Sequence, residues 1–330
     1  MTAIRKRVLS GMQPSGLMHL GNYLGALENW KVLQEQYDCY FFVADWHALS
    51  TNYADTSRIR MFVRDMLIDW LAGGIDPERA TIFIQSRIPE HAILHLLLSM
   101  MAPVSWLERN PTYKEKQEEI KEKDLTTYGF LGYPVLQAAD ILLYKPDFVP
   151  VGKDQLPHLE LTRELARRFN DIYKTSVFPE PKEHLTKFPK VLGTDGRKMS
   201  KSYHNTINLS DTEPVVRQKL KTMVTDPARV RRTDPGNPDL CPVYEFHKIY
   251  SSQGTQDQIN KDCRTASIGC IDCKKLVADQ LVEQLTPIWD KRAKLMQEPS
   301  RVDEIVDAGS KRAASVASAT LQEVNEAMKI

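Results

Sequence analysis

The sequence predicts an α/β protein: a doubly wound parallel sheet of the Rossmann-like, nucleotide-binding kind over residues 1–205, followed by an all-helical domain over 206–330. Three observations predict it. Short apolar runs at 8–12, 40–44 and 81–84 alternate with stretches of helical periodicity, the βαβαβα order that calls for parallel strands and right-handed crossovers. Beyond Ser202 the short apolar runs stop and helical periodicity alone remains. A chain of 330 residues also exceeds one small core and suits about two domains.

Val8 to Met12 reads as a buried strand stopped by Gln13-Pro14-Ser15-Gly16, after which Leu20, Leu24 and Leu27 fall at helical spacing. His19-Leu20-Gly21-Asn22 lies where that helix begins, so its backbone N–H groups and the helix dipole face any anion above the strand. Gly21 leaves room for a base or ribose, and His19 and Asn22 offer donors to phosphate. The run 40–44 ends at Asp45-Trp46-His47. Ligands of parallel sheets sit beyond the strands' carboxyl ends, which turns His47 towards the same crevice; a satisfied core histidine is the alternative. Ile59, Phe62, Val63, Met66, Leu67 and Trp70 form an amphipathic helix closed by Gly73-Gly74, and 92–101 is an apolar helix after the third strand.

From about 106 to 130 the chain carries a charged insertion whose alternating Glu and Lys describe a solvated helix. Residues 133–144 then form an apolar helix with one carboxylate, Asp140. Burying it is costly without a donor, and an indole N–H, one donor on a large apolar body, suits it; a cap or surface charge is the bland reading. A further strand near 149–151 precedes Gly152-Lys153-Asp154-Gln155 and a helix with Leu161, Leu165 and Phe169. Lys198-Met199-Ser200-Lys201-Ser202 follows Gly193-Thr194-Asp195-Gly196, placing two lysines on a glycine-flanked loop able to follow charge from one phosphate to the next; otherwise it is a solvated basic turn.

After Ser202, helical periodicity covers 215–224, 243–250, 274–296 and 302–328, with breaks such as Asp234-Pro235-Gly236-Asn237-Pro238. Arg217, Lys219, Lys221, Arg229, Arg231 and Arg232 give a local basic bias suited to phosphates or to a solvated face. Cys241, Cys263, Cys270 and Cys273 can surround one thiophilic centre, zinc or iron–sulfur, whereas Cys39 belongs to the core. Apolar content of 42% and charged content of 26% are ordinary for a soluble protein, and no run approaches the ~20 apolar residues of a membrane span. No signal-type apolar core follows the basic N-terminus, so the expectation is a cytoplasmic protein without membrane partners. A formal charge of +1 neither requires nor excludes nucleic acid.

Lys198 to Ser202 resembles the second signature of the class I aminoacyl-tRNA synthetases. Pro14-Ser15-Gly16 with His19-Leu20-Gly21-Asn22 resembles the first, in the variant ending in Asn. The 133–144 helix is similar to the amino-acid-binding helix of the tryptophanyl family, with Asp140 on the indole-reading aspartate. Gln137 stands where bacterial relatives commonly carry Met, and tyrosyl enzymes pair Gln with Asp there, so tyrosine is the competing substrate. The resemblance implies activation of L-tryptophan with ATP and Mg²⁺, transfer to tRNA(Trp), an anticodon-recognising helical domain and a homodimer. It implies catalytic roles for His19, Lys198 and Lys201, and ATP contacts from these three and from Gln13, Pro14, Ser15, Gly21, Asn22, Lys114, Lys116, Gly152, Lys153, Asp154, Val191, Met199, Ser200 and Ser202. Lys153 replaces the family's usual acidic residue. Tryptophan would meet His47, Tyr133, Gln137, Asp140 and Gln155. The cysteine spacing resembles that of the subset carrying a 4Fe–4S cluster, which favours iron–sulfur over zinc. An adenylyltransferase of the same nucleotide fold and a non-catalytic RNA-binding iron–sulfur protein are the rival readings.

Overall fold

Side chains alternate strictly across the central strands, and that alternation divides the interior in two. The computed structural model describes residues 5–111, 113–114, 124–185 and 191–330. Strand β1 (Arg7–Met12) pairs parallel with β2 (Asp38–Val43), Arg7 opposite Asp38 and Met12 opposite Val43. Strand β3 (Ala80–Ile84) flanks β2, while β4 (Phe148–Val151) and β5 (Lys182–Leu185) extend the other side, giving the all-parallel order β3-β2-β1-β4-β5. The direction of winding reverses between β1 and β4, which opens a crevice beyond their carboxyl ends. The predicted sheet is therefore present, with one strand more than its apolar runs announce. β5 reads Lys-Glu-His-Leu and is mostly exposed, so an edge strand of this kind leaves no apolar trace.

Val8, Cys39, Phe41 and Val43 face one layer and Leu9, Tyr40 and Phe42 the other, the period of two that a sheet buried on both sides requires. Helices α1 (Glu28–Gln36), α2 (Asp45–Asn52) and α3 (Ile59–Ala72) follow the first two strands. In the first layer Trp30 of α1 stacks on Phe41 at 4.4 Å and meets Trp70 of α3 edge-on at 5.0 Å. In the second, α4 (Glu90–Ser99), the short α5 (Val104–Glu108), α6 (Tyr128–Tyr144) and α7 (Leu156–Tyr173) cover Leu9, Tyr40 and Phe83. Thr127 accepts from the Phe130 N–H to start α6, and Lys145, in the left-handed region at φ 45°, ends it.

The helical segment comprises α8 (Glu213–Thr222), α9 (Pro242–Tyr250), α10 (Gln253–Arg264), α11 (Cys270–Gln297) and α12 (Pro299–Met328). Helix α10 escapes the sequence reading because only Ile259 of its polar twelve residues is buried. The last two helices return to the sheet. Arg292 of α11 pairs with Asp65 at 2.8 Å and with Asp69, both on α3. Ala313 and Ala317 of α12 pack with Tyr40 and Phe83, and Gly309 lies so close to β3 that a methyl group there would run into the Ile82 carbonyl. No helix among the described residues is long and apolar enough to cross a membrane.

Candidate active site

The two signature segments, far apart in sequence, are stitched together at the end of β1. Leu20 donates its N–H to Ile207 (2.9 Å) and Leu209 donates to Met18 (2.9 Å), so the stretch after the second signature runs antiparallel to the start of the first. His19 caps the helical turn 20–22: its Nδ1 accepts from the Asn22 N–H at 3.3 Å, and Asn22 Oδ1 accepts from the His19 N–H at 3.3 Å. This reciprocal box fixes the histidine tautomer. With Nδ1 accepting, the neutral ring carries its proton on Nε2. Burial and then the Lys201 charge hold the His19 pKa down to about 4, so the ring stays neutral. A methyl at Gly21 would sit 3.0 Å from the His19 ring. The chain then passes through one π-helical stretch, Tyr23–Leu27, before α1.

Lys201 reaches across to the first signature, donating to the Gly16 carbonyl at 3.0 Å and lying 3.4 Å from Ser15 Oγ. Burial lowers its pKa to about 8, against the opposing pull of Asp69. The turn beneath is built for this approach: Gly16 has φ +144°, and a Cβ there would press on Lys201 Cδ at 3.1 Å. Asn205 clamps the loop. Its side chain donates to Asp195 (2.7 Å) and to the Lys198 carbonyl (3.2 Å) and accepts from the Ser200 N–H (2.8 Å). Met199 is buried, bonded through its N–H to the Val191 carbonyl at 2.9 Å, while Lys198 is exposed and Ser200 and Ser202 pair at 2.9 Å. Asn205 was not among the predicted residues, although an amide three residues past such a loop is the type that fastens one.

Asp140 is not a surface charge. It is 1% exposed and receives hydrogen bonds from His47 Nε2 (2.7 Å), His91 Nδ1 (2.6 Å) and Gln85 Nε2 (2.7 and 2.9 Å). Burial alone would raise its pKa; His47 and His91 outweigh that and hold it at about 2, so the group is a carboxylate. The two sequence readings of His47 merge, since it is a buried histidine whose partner is the specificity candidate itself. Gln85 and His91 escaped the sequence reading. Gln85 could have been found as the residue directly after β3, but His91 looks like any polar residue at the head of an apolar helix. One and two turns before Asp140, Leu136 and Tyr133 line a cavity of about 400 Å³ with Trp46, Tyr53 and His95. The Tyr133 hydroxyl lies 2.8 Å from His158 Nε2.

Beyond β4, Lys153–Gln155 forms one 3₁₀ turn in which Gln155 donates to Asp154 at 3.1 Å; Lys153 and Asp154 are exposed, and Gln137 is half-buried. Gln13 accepts from the Ser15 N–H at 2.9 Å, so Gln13 and Pro14 belong to the turn under Lys201. Lys114 is exposed, and Lys116 lies outside the described residues.

In the helical segment the basic bias is smaller than the sequence suggests. Arg229 is 9% exposed and donates to the Arg232 and Ile268 carbonyls, Arg217 pairs with Glu213 and Asp279, and Lys219 pairs with Asp211. Lys221, Arg231 and Arg232 are exposed. Cys241 heads α9, Cys263 closes α10, and Cys270 and Cys273 occupy the first turn of α11. Burial, reinforced by the other three thiols, pushes Cys273 up to about 12. Arg229 lies 3.8 Å from Cys263 Sγ and His247 Nε2 lies 3.4 Å from Cys273 Sγ. Among the described residues no three His, Cys, Asp or Glu side chains close on a point that could hold a metal ion. Cys39, wholly buried in β2, is core as expected.

Residues 3–286 match the model of the family "tRNA synthetases class I (W and Y)". The tryptophan–tRNA ligase of Thermotoga maritima is 53% identical over 98% of this chain and 99% of that protein, and that of Ralstonia nicotianae is 45% identical over 98% of each. The crystal structure of Campylobacter jejuni tryptophanyl-tRNA synthetase complexed with ADP and tryptophan superposes with a TM-score of 0.90, at 32% identity over 98% of this chain and 100% of that one. Joined signatures, a close superposition and end-to-end similarity of this degree agree, and the chain belongs to the class I tRNA synthetases of the tryptophan and tyrosine group, within the tryptophanyl branch.

Proposed function

We propose that the chain activates L-tryptophan with ATP, forming tryptophanyl-adenylate and pyrophosphate, and passes the tryptophanyl group to the 3′ end of tRNA(Trp). The observation that carries this is the meeting of Lys201, Ser15 and His19 at the end of β1, together with a buried Asp140 carboxylate on a helix that also lines a cavity. The tryptophan carboxylate attacks the α-phosphorus and the bond to pyrophosphate breaks. The chain provides no nucleophile; it positions the reactants and offsets migrating charge. His19 gives Nε2–H to a phosphate oxygen, while Lys201 and the exposed Lys198 follow the charge onto the leaving pyrophosphate. Mg²⁺ travels with the nucleotide phosphates. Gln13, Pro14, Asn22, Gly152, Asp154, Val191 and Met199 form the nucleotide's surroundings, with Lys114 and Lys116 approaching its phosphates. Tyr133, Gln137 and Gln155 orient the amino acid. A terminal ribose hydroxyl of the tRNA then takes the acyl group and AMP departs, with 206–330 reading the anticodon. A cytoplasmic homodimer completes the reading. Tryptophan-dependent ATP–pyrophosphate exchange is the test: exchange with tryptophan and not with tyrosine is expected, and the reverse preference would transfer the chain to the tyrosyl branch.

We further propose a structural 4Fe–4S cluster on Cys241, Cys263, Cys270 and Cys273. All four lie at helix ends that come together, and Arg229 beside Cys263 Sγ is a donor suited to a cluster sulfur. The chemistry above needs no electron transfer, so the group would brace this end of the helical segment. Protein purified without oxygen is expected to be brown with about four iron atoms per chain, and Cys273→Ser to lose both. Colourless protein carrying one zinc would overturn this assignment.

A further inference from the structure

Asp140 is gripped from behind as well as from the side. Gln85 presents Nε2 to both carboxylate oxygens, and its amide cannot turn round because Gln85 Oε1 accepts from the Trp46 N–H at 3.1 Å. His91 presents Nδ1 to Oδ1 at 2.6 Å, and its Nε2 lies 2.8 Å from the Tyr144 hydroxyl. Burial, with Asp140 next, holds the Tyr144 phenol well above its ordinary pKa, so it keeps its proton and donates it to His91 Nε2. His91 is left with Nδ1–H, the tautomer that can donate to Asp140. Both donors to Oδ1 are thus held in orientation by a second contact, and Oδ2 accepts from His47 at 2.7 Å and from the same Gln85 amide at 2.9 Å. Tyr133 and Leu136, on the same helical face as Asp140, open onto the cavity.

We propose that Gln85, His91 and Tyr144 are positioning residues for amino-acid selection: they clamp Oδ1 so that Oδ2 keeps one direction, towards the ring N–H of the substrate. This rests on the reading that the substrate is tryptophan. Kinetics of pyrophosphate exchange should be compared for tryptophan and for 3-benzothienylalanine, which has the same shape with sulfur in place of the ring N–H. Tyr144→Phe and Gln85→Leu are expected to raise the tryptophan KM about tenfold, with kcat and the ATP KM near wild type, and to shrink the preference for tryptophan over the isostere by a similar factor. His91→Gln, which still offers an amide donor, should recover part of what His91→Leu loses. Tyr144→Phe removes a single oxygen, so it is the variant that folds if the others do not. Unchanged KM values, or equal losses for the two amino acids, would reduce these residues to packing and overturn the proposal. If the wild-type chain did not use tryptophan at all, the underlying reading would fall, and that is seen before any variant is made.

Discussion

Lys201→Ala is expected to slow adenylate formation about 10²–10³-fold in single-turnover assays while tryptophan affinity, measured by equilibrium titration, stays within about twofold. The asymmetry follows from where the ammonium sits. It lies against Gly16 and Ser15 in the first signature and is not among the residues that line the cavity beside Tyr133 and Leu136. Equal losses of rate and tryptophan affinity would remove the loop from catalysis. The depressed pKa adds a signature with a definite sign. A lysine at about 8 loses its positive charge as pH rises through that value, so kcat/KM for ATP, which reports the free enzyme, should fall above about pH 8. In kcat the fall should come at higher pH, because bound phosphates favour the protonated amine.

Asp140→Ala is expected to cut kcat/KM for tryptophan by about 10²-fold or more and to destabilise the fold by about 3 kcal/mol, read from denaturant unfolding with an unchanged slope. Truncation leaves His47, His91 and Gln85 with buried donors and no acceptor, so the penalty comes from three orphaned groups and not from lost packing. The pH sign is also set. Asp140 titrates at about 2, below the unfolded value near 4, so its contribution is complete above that value and disappears as pH falls through about 2. The variant should therefore show a flatter acid limb than wild type. A variant as stable and as active on tryptophan as wild type would contradict the placement of Asp140 at the centre of this site.

Much of this site is legible without coordinates because each signature is local. The turn of Gln13 to Gly16, the helix start at His19 to Asn22 and the glycines before Lys198 are short-range devices legible from local residue types. The sheet is legible for the same reason, since strands buried on both faces need continuous apolar runs. The parts that escape are those that obey no period. β5 is a charged edge, α10 has one buried side chain, and Asn205 matters only because the loop returns past it. The basic residues of 217–232 are a case that composition leaves open. Their composition suits either phosphates or a solvated face, and in the structure Arg217 and Lys219 pair with neighbouring carboxylates while Arg229 donates to backbone carbonyls.

Residue order alone thus decides which segments form strands and helices, where the chain must turn, and which side chains have the chemistry for a polyphosphate and for a ring N–H. Tertiary structure decides the partners. It brings Lys201 to Gly16, sets His47, His91 and Gln85 around one carboxylate, and returns the last helix to β3. The reason is physical: secondary structure answers to neighbours a few residues away, whereas the charge state of Asp140, Lys201 or His19 answers to burial and to groups that only folding brings within a few ångströms.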